Sequence, residues 1–550
     1  MMLSKKAKII PERYHNHPLN RKEDARLSEY SLTPEQREST WNQLHKNLFS
    51  HQNLVLGYQG NQNVTYESVK PFFDIVINNA GDPFSGQTQY ALNTKIIECS
   101  VLDYFAKLWK IHQSDSPNDE ERTYWGYVAS MGCTEGNHLA LYNAREYLAG
   151  MPLSNPILYN TCRTPMNPTV SSNGECKEEL SNSPLKDNPN AFTPVVFFSE
   201  EGFHGLEKTL RMLQMKTFRD IGSGYFHCPL RYPDDYPSSF CDESLDENGW
   251  PRAVPVEEDG SISIPCLVKL VTAFVLRGYP PVVIFTSGTT FKGAYDDPRA
   301  AINELVPMLK QHNMYERLVH CSEDLVKSDI RNGFWFHIDG ALGAAHLPFL
   351  EMAINQGLVS NTFPNGFPAF DFRIPEVKSI AMSIHKWFGC AFPSAVFMMR
   401  KTDQVRPRDN PMYVGGHDST LSSSRCGHGV LVMWDLLSKK SYQDFTEIAA
   451  RGHEMVVFLL SNLRKLEKEL RVDLWLSNSP GSLFVCFKQP NQDIVHRYSL
   501  ASHLLKIKST DGIFKQRVCS HICLMSHVTK KIILRFIEEL RAPVAFPNQN

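Results

Sequence analysis

Three short, almost wholly apolar runs, Val282–Phe285, Phe334–Ile338 and Ile380–Met382, limit what this chain can fold into. Each ends abruptly in polar residues: Thr286-Ser-Gly-Thr-Thr290, Asp339-Gly-Ala341 and Ser383-Ile-His-Lys386-Trp387. A half-exposed strand alternates apolar and polar side chains, whereas a strand covered on both faces reads as an unbroken apolar run. Such runs belong to a mostly parallel sheet with helices on both sides. Stretches of helical character, Leu206–Met215 and Ala300–His312, lie between Val195–Phe198 and the later runs as that architecture requires. The expected class is doubly wound α/β.

At 550 residues the chain exceeds one core, since domains hold about 100–200 residues. We expect an N-terminal extension over 1–94 and a large domain over 95–400. A smaller α+β domain is expected over 401–550, with helices at Phe445–Leu470 and His527–Leu540 and strands at Val472–Leu476 and Ser482–Phe487. Thr33-Pro-Glu-Gln36 reads as a capped helix start. Ile97, Val101, Phe105 and Leu108 recur at helical spacing. Two segments, near 160–190 and 225–257, are rich in Ser, Asn, Pro and Asp and read as insertions; the first is expected at the surface, the second as either a lid or a surface loop.

With 57 basic and 59 acidic residues the net charge is -2, which offers no electrostatic footing for nucleic acid or an anionic membrane. No apolar run approaches the roughly 20 residues of a membrane span. Met1–Ile10 is basic and mildly apolar and does not read as a secretory signal. The 13 cysteines are odd in number and scattered, which favours reduced thiols in a cytoplasm. His227, Cys228 and Cys241 do not make a four-ligand set, so no metal is expected.

Polar residues at the carboxyl ends of parallel strands sit where open α/β sheets bind ligands. A lysine, an aspartate and a threonine delivered there match the needs of pyridoxal phosphate. Lys386 would take the aldehyde, Asp339 would pair with the pyridinium nitrogen, and small polar residues such as Thr286 would hold the rest. Buried aspartate and buried lysine are each costly without a partner. Gly132-Cys-Thr134-Glu-Gly-Asn137 precedes a helical stretch near His138, and amides at a helix N-terminus suit a phosphate. Ser199-Glu-Glu-Gly-Phe-His204 follows the run Val195–Phe198, where a histidine ring can stack on a planar cofactor.

Taken in order, these motifs resemble the group II pyridoxal-phosphate-dependent amino-acid decarboxylases, nearest their histidine and serine decarboxylase branch. The resemblance runs from about Leu56 to Gly427. It includes Asn78-Asn-Ala-Gly-Asp82, Trp125-Gly-Tyr-Val128, Gly288-Thr-Thr-Phe-Lys-Gly-Ala294, His337-Ile-Asp-Gly-Ala-Leu342 and Asp418 through Gly427. It implies the aspartate aminotransferase-like fold (fold type I) and the loss of CO2 from an L-amino acid, histidine to histamine first. Serine, aspartate or an aromatic amino acid, another pyridoxal phosphate reaction, or a silent scaffold are the alternatives. It makes Lys386 the Schiff-base lysine, Asp339 the pyridinium partner and His204 the stacking residue. Thr286 and Ala341 neighbour the ring, and Cys133, Thr134, Ser383 and His385 hold the phosphate. Asn137, Tyr413, Ser424 and Arg425 are candidates for contact with the substrate, with Tyr413 or His204 as Cα proton donor. The resemblance also implies a homodimer with shared active sites, packed partly through 1–94. Three departures leave the substrate open: Cys133 stands where the histidine decarboxylases usually have a second Gly, Gly205-Leu206 follow His204 in place of Tyr-Ser, and Asp82-Pro-Phe-Ser85 differs from their Gly-Asp-Trp form.

Overall fold

The computed structural model describes residues 27–85, 90–111, 122–154, 158–160, 188–321, 324–407, 411–508 and 514–546. A seven-stranded sheet forms the centre. Its spatial order is Tyr124–Ala129, Ala395–Arg400, Val377–Ser383, Trp335–Asp339, Pro281–Thr286, Val195–Phe198 and Lys216–Thr217. Ala395–Arg400 pairs antiparallel with both neighbours, and the remaining pairings are parallel. The expected α/β architecture of fold type I is observed.

The apolar runs are continuous because each strand feeds two cores. Val283, Phe285, Phe336, Ile338, Ile380 and Met382 point to one side, where Lys95–Leu108, Ile264–Val275, Pro298–Gln311 and Gly343–Asn355 pack. Val282, Ile284, Trp335, Ala381 and Phe397 point to the other, under the helix Cys133–Leu148. Burying one such side chain fully is worth about 1.5–3 kcal/mol, which leaves no room for polar alternation.

The helix expected near His138 starts five residues earlier, at Cys133, because Gly132 supplies the turn that ends the preceding loop. Thr33 caps the helix Pro34–Gln52 with a reciprocal Gln36 bond, as its sequence predicts. The segment 225–257 is neither loose surface nor lid. Leu230, Tyr236, Phe240, Trp250 and Val254 are buried in the main core, and Trp250 Nε1 donates to the Phe226 carbonyl at 3.1 Å. Apart from its ends, the segment 160–190 lies outside the described residues.

In the C-terminal part, Tyr442–Leu470 and Lys530–Leu540 pack with a three-stranded antiparallel sheet of Phe484–Lys488, Phe514–Cys523 and Ala501–Lys508. Val472–Leu476 is not a strand: Arg471 and Trp475 both have positive φ, and an Asp473 turn bonds the Trp475 amide at 2.9 Å. Leu56 joins this core, its amide donating to the Tyr498 carbonyl and its carbonyl accepting from the Cys523 amide. That pairing swings Gly57–Gly60 toward the carboxyl edge of the central sheet. Among the described residues no helix is long and apolar enough to cross a membrane.

Candidate active site

Parallel register sets the site. Thr286 is paired with Asp339, and Asp339 with Ala381, so three strands finish along one line. Beyond that line lies a cavity of about 410 Å³ lined by Gly132, Cys133, Thr134, Asn137, His204, Thr286, Asp339, Ala341, Ser383, His385 and Lys386. Every expected cofactor residue therefore borders one space.

Lys386 follows the strand Val377–Ser383 in a turn whose backbone is held from the N-terminal segment. The Asn61 amide donates to the Lys386 carbonyl at 3.1 Å, and Trp387 stacks on Phe349 at 5.6 Å. Burial lowers the pKa of the Lys386 ammonium, with Asp339 and Cys133 acting in the opposite direction. That lowering favours the neutral amine, the only nucleophilic form of a lysine.

Asp339 is 2 % exposed. Its Oδ2 accepts from Asn137 Nδ2 at 2.8 Å, while Oδ1 has longer contacts with the Ala341 amide at 3.3 Å and Cys133 Sγ at 3.4 Å. Thr286 is buried with its Oγ1 unpartnered, and its amide is pinned by Asp296 Oδ2 at 2.7 Å. A buried hydroxyl without a partner is expensive, and a polar ligand atom relieves it. At Gly132 (φ 74°, ψ -170°) a β-carbon would sit 2.9 Å from His385 Cε1. These three features fit pyridoxal phosphate: a carboxylate for the ring nitrogen, a hydroxyl for a ring substituent, and a tight glycine turn opening a helix for the phosphate.

The comparisons with known proteins agree. The pyridoxal-dependent decarboxylase conserved domain matches residues 250–489. L-methionine decarboxylase from Streptomyces sp. 590 superposes with a TM-score of 0.82 at 32% identity, covering 96% of this chain and 98% of that one. The chain belongs to the pyridoxal-dependent decarboxylases. Serine decarboxylase 2 of Oryza sativa subsp. japonica is 24% identical over 88% of this chain and 73% of its own. Histidine decarboxylase of Vibrio anguillarum is 22% identical over 84% of this chain and 88% of its own. The decarboxylase uses pyridoxal phosphate and removes CO2 from an amino acid.

Several expected residues take other places in this decarboxylase. Asn137 borders the cavity but is only 2 % exposed, with its amide held on Asp339 Oδ2 at 2.8 Å. The Cys133 amide donates to Ser383 Oγ at 3.1 Å, and its thiol turns to Asp339. Arg425 is buried away from the cavity in an ion pair with Glu98, and its Nη2 donates to the Gly81 carbonyl at 2.9 Å. Glu98 also accepts from the Val128 amide at 2.8 Å and from Asn79 Nδ2 at 2.9 Å. The pair therefore clamps the loops 78–82 and 418–425 to the sheet instead of holding substrate. Tyr413 and Ser424 are exposed and do not line the cavity of their own chain. His204 does line it, at the start of the helix Gly205–Met212, with its ring 4.6 Å from that of Phe203.

Three contributors escape a reading of the sequence. Gln59 donates from Nε2 to the Thr290 carbonyl at 2.7 Å and brings the N-terminal segment to the cavity wall. His521, from the C-terminal sheet, lies between the Phe291 and Gly57 carbonyls at 2.8 and 3.0 Å. His337 sits behind Asn137, buried mid-strand. Its place in an apolar run is the one signal that could have found it.

Two substitutions test this arrangement. Arg425→Met leaves Glu98 buried and unpaired, and should cost about 3–5 kcal/mol of stability; an unchanged denaturation midpoint would refute the clamp. Gly132→Ala forces a conformation essentially reserved for glycine, costing about 1–3 kcal/mol, and pushes into His385. Bound cofactor, read by absorbance, should fall in that variant while the far-ultraviolet circular dichroism is kept.

Proposed function

We propose that this decarboxylase acts on an L-amino acid with a neutral, largely apolar side chain, with L-methionine as first choice. The carrying observation is the cavity lining. Among the described residues its only carboxylate is the braced Asp339, and its only non-histidine cation is Lys386; Tyr58, Met131, Phe203 and Pro393 stand in the wall beside Gln59, Thr290, Ala501 and His521. An acidic or basic substrate side chain would meet no free counter-charge there, which a buried charge requires. A thioether suits a wall of aromatic rings and methionine, being polarizable and undemanding of hydrogen bonds. The likeness to a methionine decarboxylase over 96% of the chain supports this reading. Histidine, the substrate expected from the sequence, and serine are the competitors, named by relatives at 22–24% identity.

In this reading Lys386 anchors the cofactor and releases product, and Asp339 pairs with the ring nitrogen. Thr286 and Ala341 adjoin the ring, and His204 covers its outer face. Thr134, Ser383 and His385 surround the phosphate. Pyridoxal phosphate, when bound, supplies a ring that accepts the electron pair of the breaking Cα–carboxylate bond. The protein's part is to hold that bond perpendicular to the ring and to return a proton to Cα, which falls to His204 from its place in the cavity wall or to a loop of the second subunit.

A homodimer completes the assignment. The helix Pro34–Gln52 buries none of its residues in this chain, and Trp41, Phe49, Val76, Met412 and Tyr413 are all more than half exposed. Apolar surface of this extent is normally covered by a partner. The division at residues 94 and 400, and a reducing cytoplasmic setting for free thiols such as Cys133 and Cys266, belong to the same reading.

Purified enzyme with added cofactor, screened against the standard amino acids for CO2 and amine, tests the substrate. L-methionine should give the highest kcat/KM. A preference for histidine or serine would overturn the thioether assignment while leaving the reaction class untouched.

A further inference from the structure

Behind Asp339 lies a chain of buried polar groups that binding and turnover do not by themselves call for. Asn137 Nδ2 is 2.8 Å from Asp339 Oδ2, and Asn137 Oδ1 is 3.0 Å from His337 Nε2. His337 Nδ1 is 2.8 Å from Ser379 Oγ, which also lies 3.1 Å from Trp335 Nε1. His337 and Ser379 are each 0 % exposed. Three elements meet here: Asn137 stands on the helix Cys133–Leu148, Trp335 and His337 on the strand that ends in Asp339, and Ser379 on the next strand.

Chemistry fixes the direction of each bond. An ionised carboxylate only accepts, so the Asn137 amide nitrogen must face Asp339 and its oxygen must face His337. His337 Nε2 therefore carries the proton and Nδ1 accepts. The Ser379 hydroxyl donates to Nδ1, and the indole N–H of Trp335 donates to that hydroxyl. Every group is satisfied with a neutral imidazole, consistent with burial pushing the His337 pKa down to about 4. A proton on Oδ2 of Asp339, the oxygen that Asn137 holds, would reverse this arrangement. That O–H would need the Asn137 oxygen, the amide would have to flip, and the imidazole proton would have to move to Nδ1, beside the Ser379 carbonyl at 3.2 Å.

We propose that Asn137, His337 and Ser379 form a positioning relay that fixes the Asn137 amide on Oδ2 of Asp339 and leaves Oδ1 as the oxygen presented to the cofactor's ring nitrogen. The relay rests on the reading of Asp339 as that nitrogen's partner. It works through neutral groups, whereas a protein cation in its place would compete with the ring for the carboxylate. Buried polar networks act as units, so breaking one member should be felt at Asp339 some distance away.

Cofactor affinity of the apoenzyme, measured by quenching of tryptophan fluorescence on titration with pyridoxal phosphate, gives a readout separate from turnover. His337→Leu leaves Asn137 free to flip and should weaken the Kd about 10- to 100-fold, the range expected for loss of a hydrogen bond supporting a charge. His337→Gln, whose amide can donate to Asn137 Oδ1, should restore most of that affinity. Ser379→Ala guards against a leucine variant that fails to fold. It releases Nδ1 to take the proton, and should weaken the Kd in the same direction as His337→Leu. Wild-type affinity in His337→Leu, equal losses in the Leu and Gln variants, or wild-type affinity in Ser379→Ala would overturn the relay. Asp339→Asn run in parallel separates the two readings. If that variant is impaired while the relay variants are not, the relay alone fails; if it binds and turns over normally, the pairing of Asp339 with the ring fails first.

Discussion

Lys386→Ala should lose decarboxylation by about four orders of magnitude, the upper end of what one positioned acid–base group supplies, because covalent anchoring is lost with it. No second lysine is at hand to replace it: among the described residues Lys386 is the only lysine lining the cavity, and its backbone is fixed from Asn61. Added small amines can stand in for a missing ammonium only if the pocket is otherwise intact, so partial rescue by methylamine would show that the cavity survives the substitution. The cofactor's absorbance should change as well, from the band of a lysine-bound aldehyde to that of the free one. A variant that keeps wild-type rates would remove Lys386 from the chemistry altogether, and with it the geometry on which the other assignments rest.

Asp339→Ala should reduce turnover by about 10^2- to 10^4-fold, as expected when one partner of a buried charge pair is removed at 3–5 kcal/mol. Cofactor affinity should suffer less, because the cradle at Gly132, Thr134 and Ser383 and the anchor at Lys386 remain. The split has a physical cause. Binding draws on contacts around the whole cofactor, whereas acceptance of the bond's electrons depends on a positive ring nitrogen, which only a carboxylate at that position keeps protonated. Single-turnover measurements at saturating cofactor isolate the second effect. A variant with weak binding but an undiminished rate on the bound fraction would show that Asp339 serves only to hold the ring.

What can be read from the chain follows from burial. Pro281–Thr286, Trp335–Asp339 and Val377–Ser383 are visible because both faces of each strand meet a core, and an unbroken apolar run this short, bounded by Gly, Ser or Asp, favours a strand over a buried helix. The ligand-facing residues are visible because the polar character returns at the carboxyl ends. Ala501–Lys508 is hidden for the opposite reason. Leu505 alone of its eight residues is buried, and its Ser, His and Lys residues blur the alternation. Val472–Leu476 looks like a strand by composition, but an Asp-initiated turn and two positive φ values break it. Arg425 resembles a substrate ligand because charge in a loop near a site suggests one; its burial against Glu98 comes from a helix more than three hundred residues away in sequence, and no local pattern encodes that.

The sequence by itself therefore determined the sheet, the order of its strands' chemistry, and the delivery of Lys386, Asp339, Thr286 and His204 to one cavity, since these depend on residues adjacent in the chain. Only the tertiary structure decided what stands behind and around them. Gln59 and His521 close the cavity because Leu56 bonds to the C-terminal core. Asn137 and His337 reach Asp339 because a helix and two strands from separate parts of the chain pack at one register. Strand propensity is a local property, whereas the partner of a buried polar group is set by whatever the completed fold places within hydrogen-bonding distance.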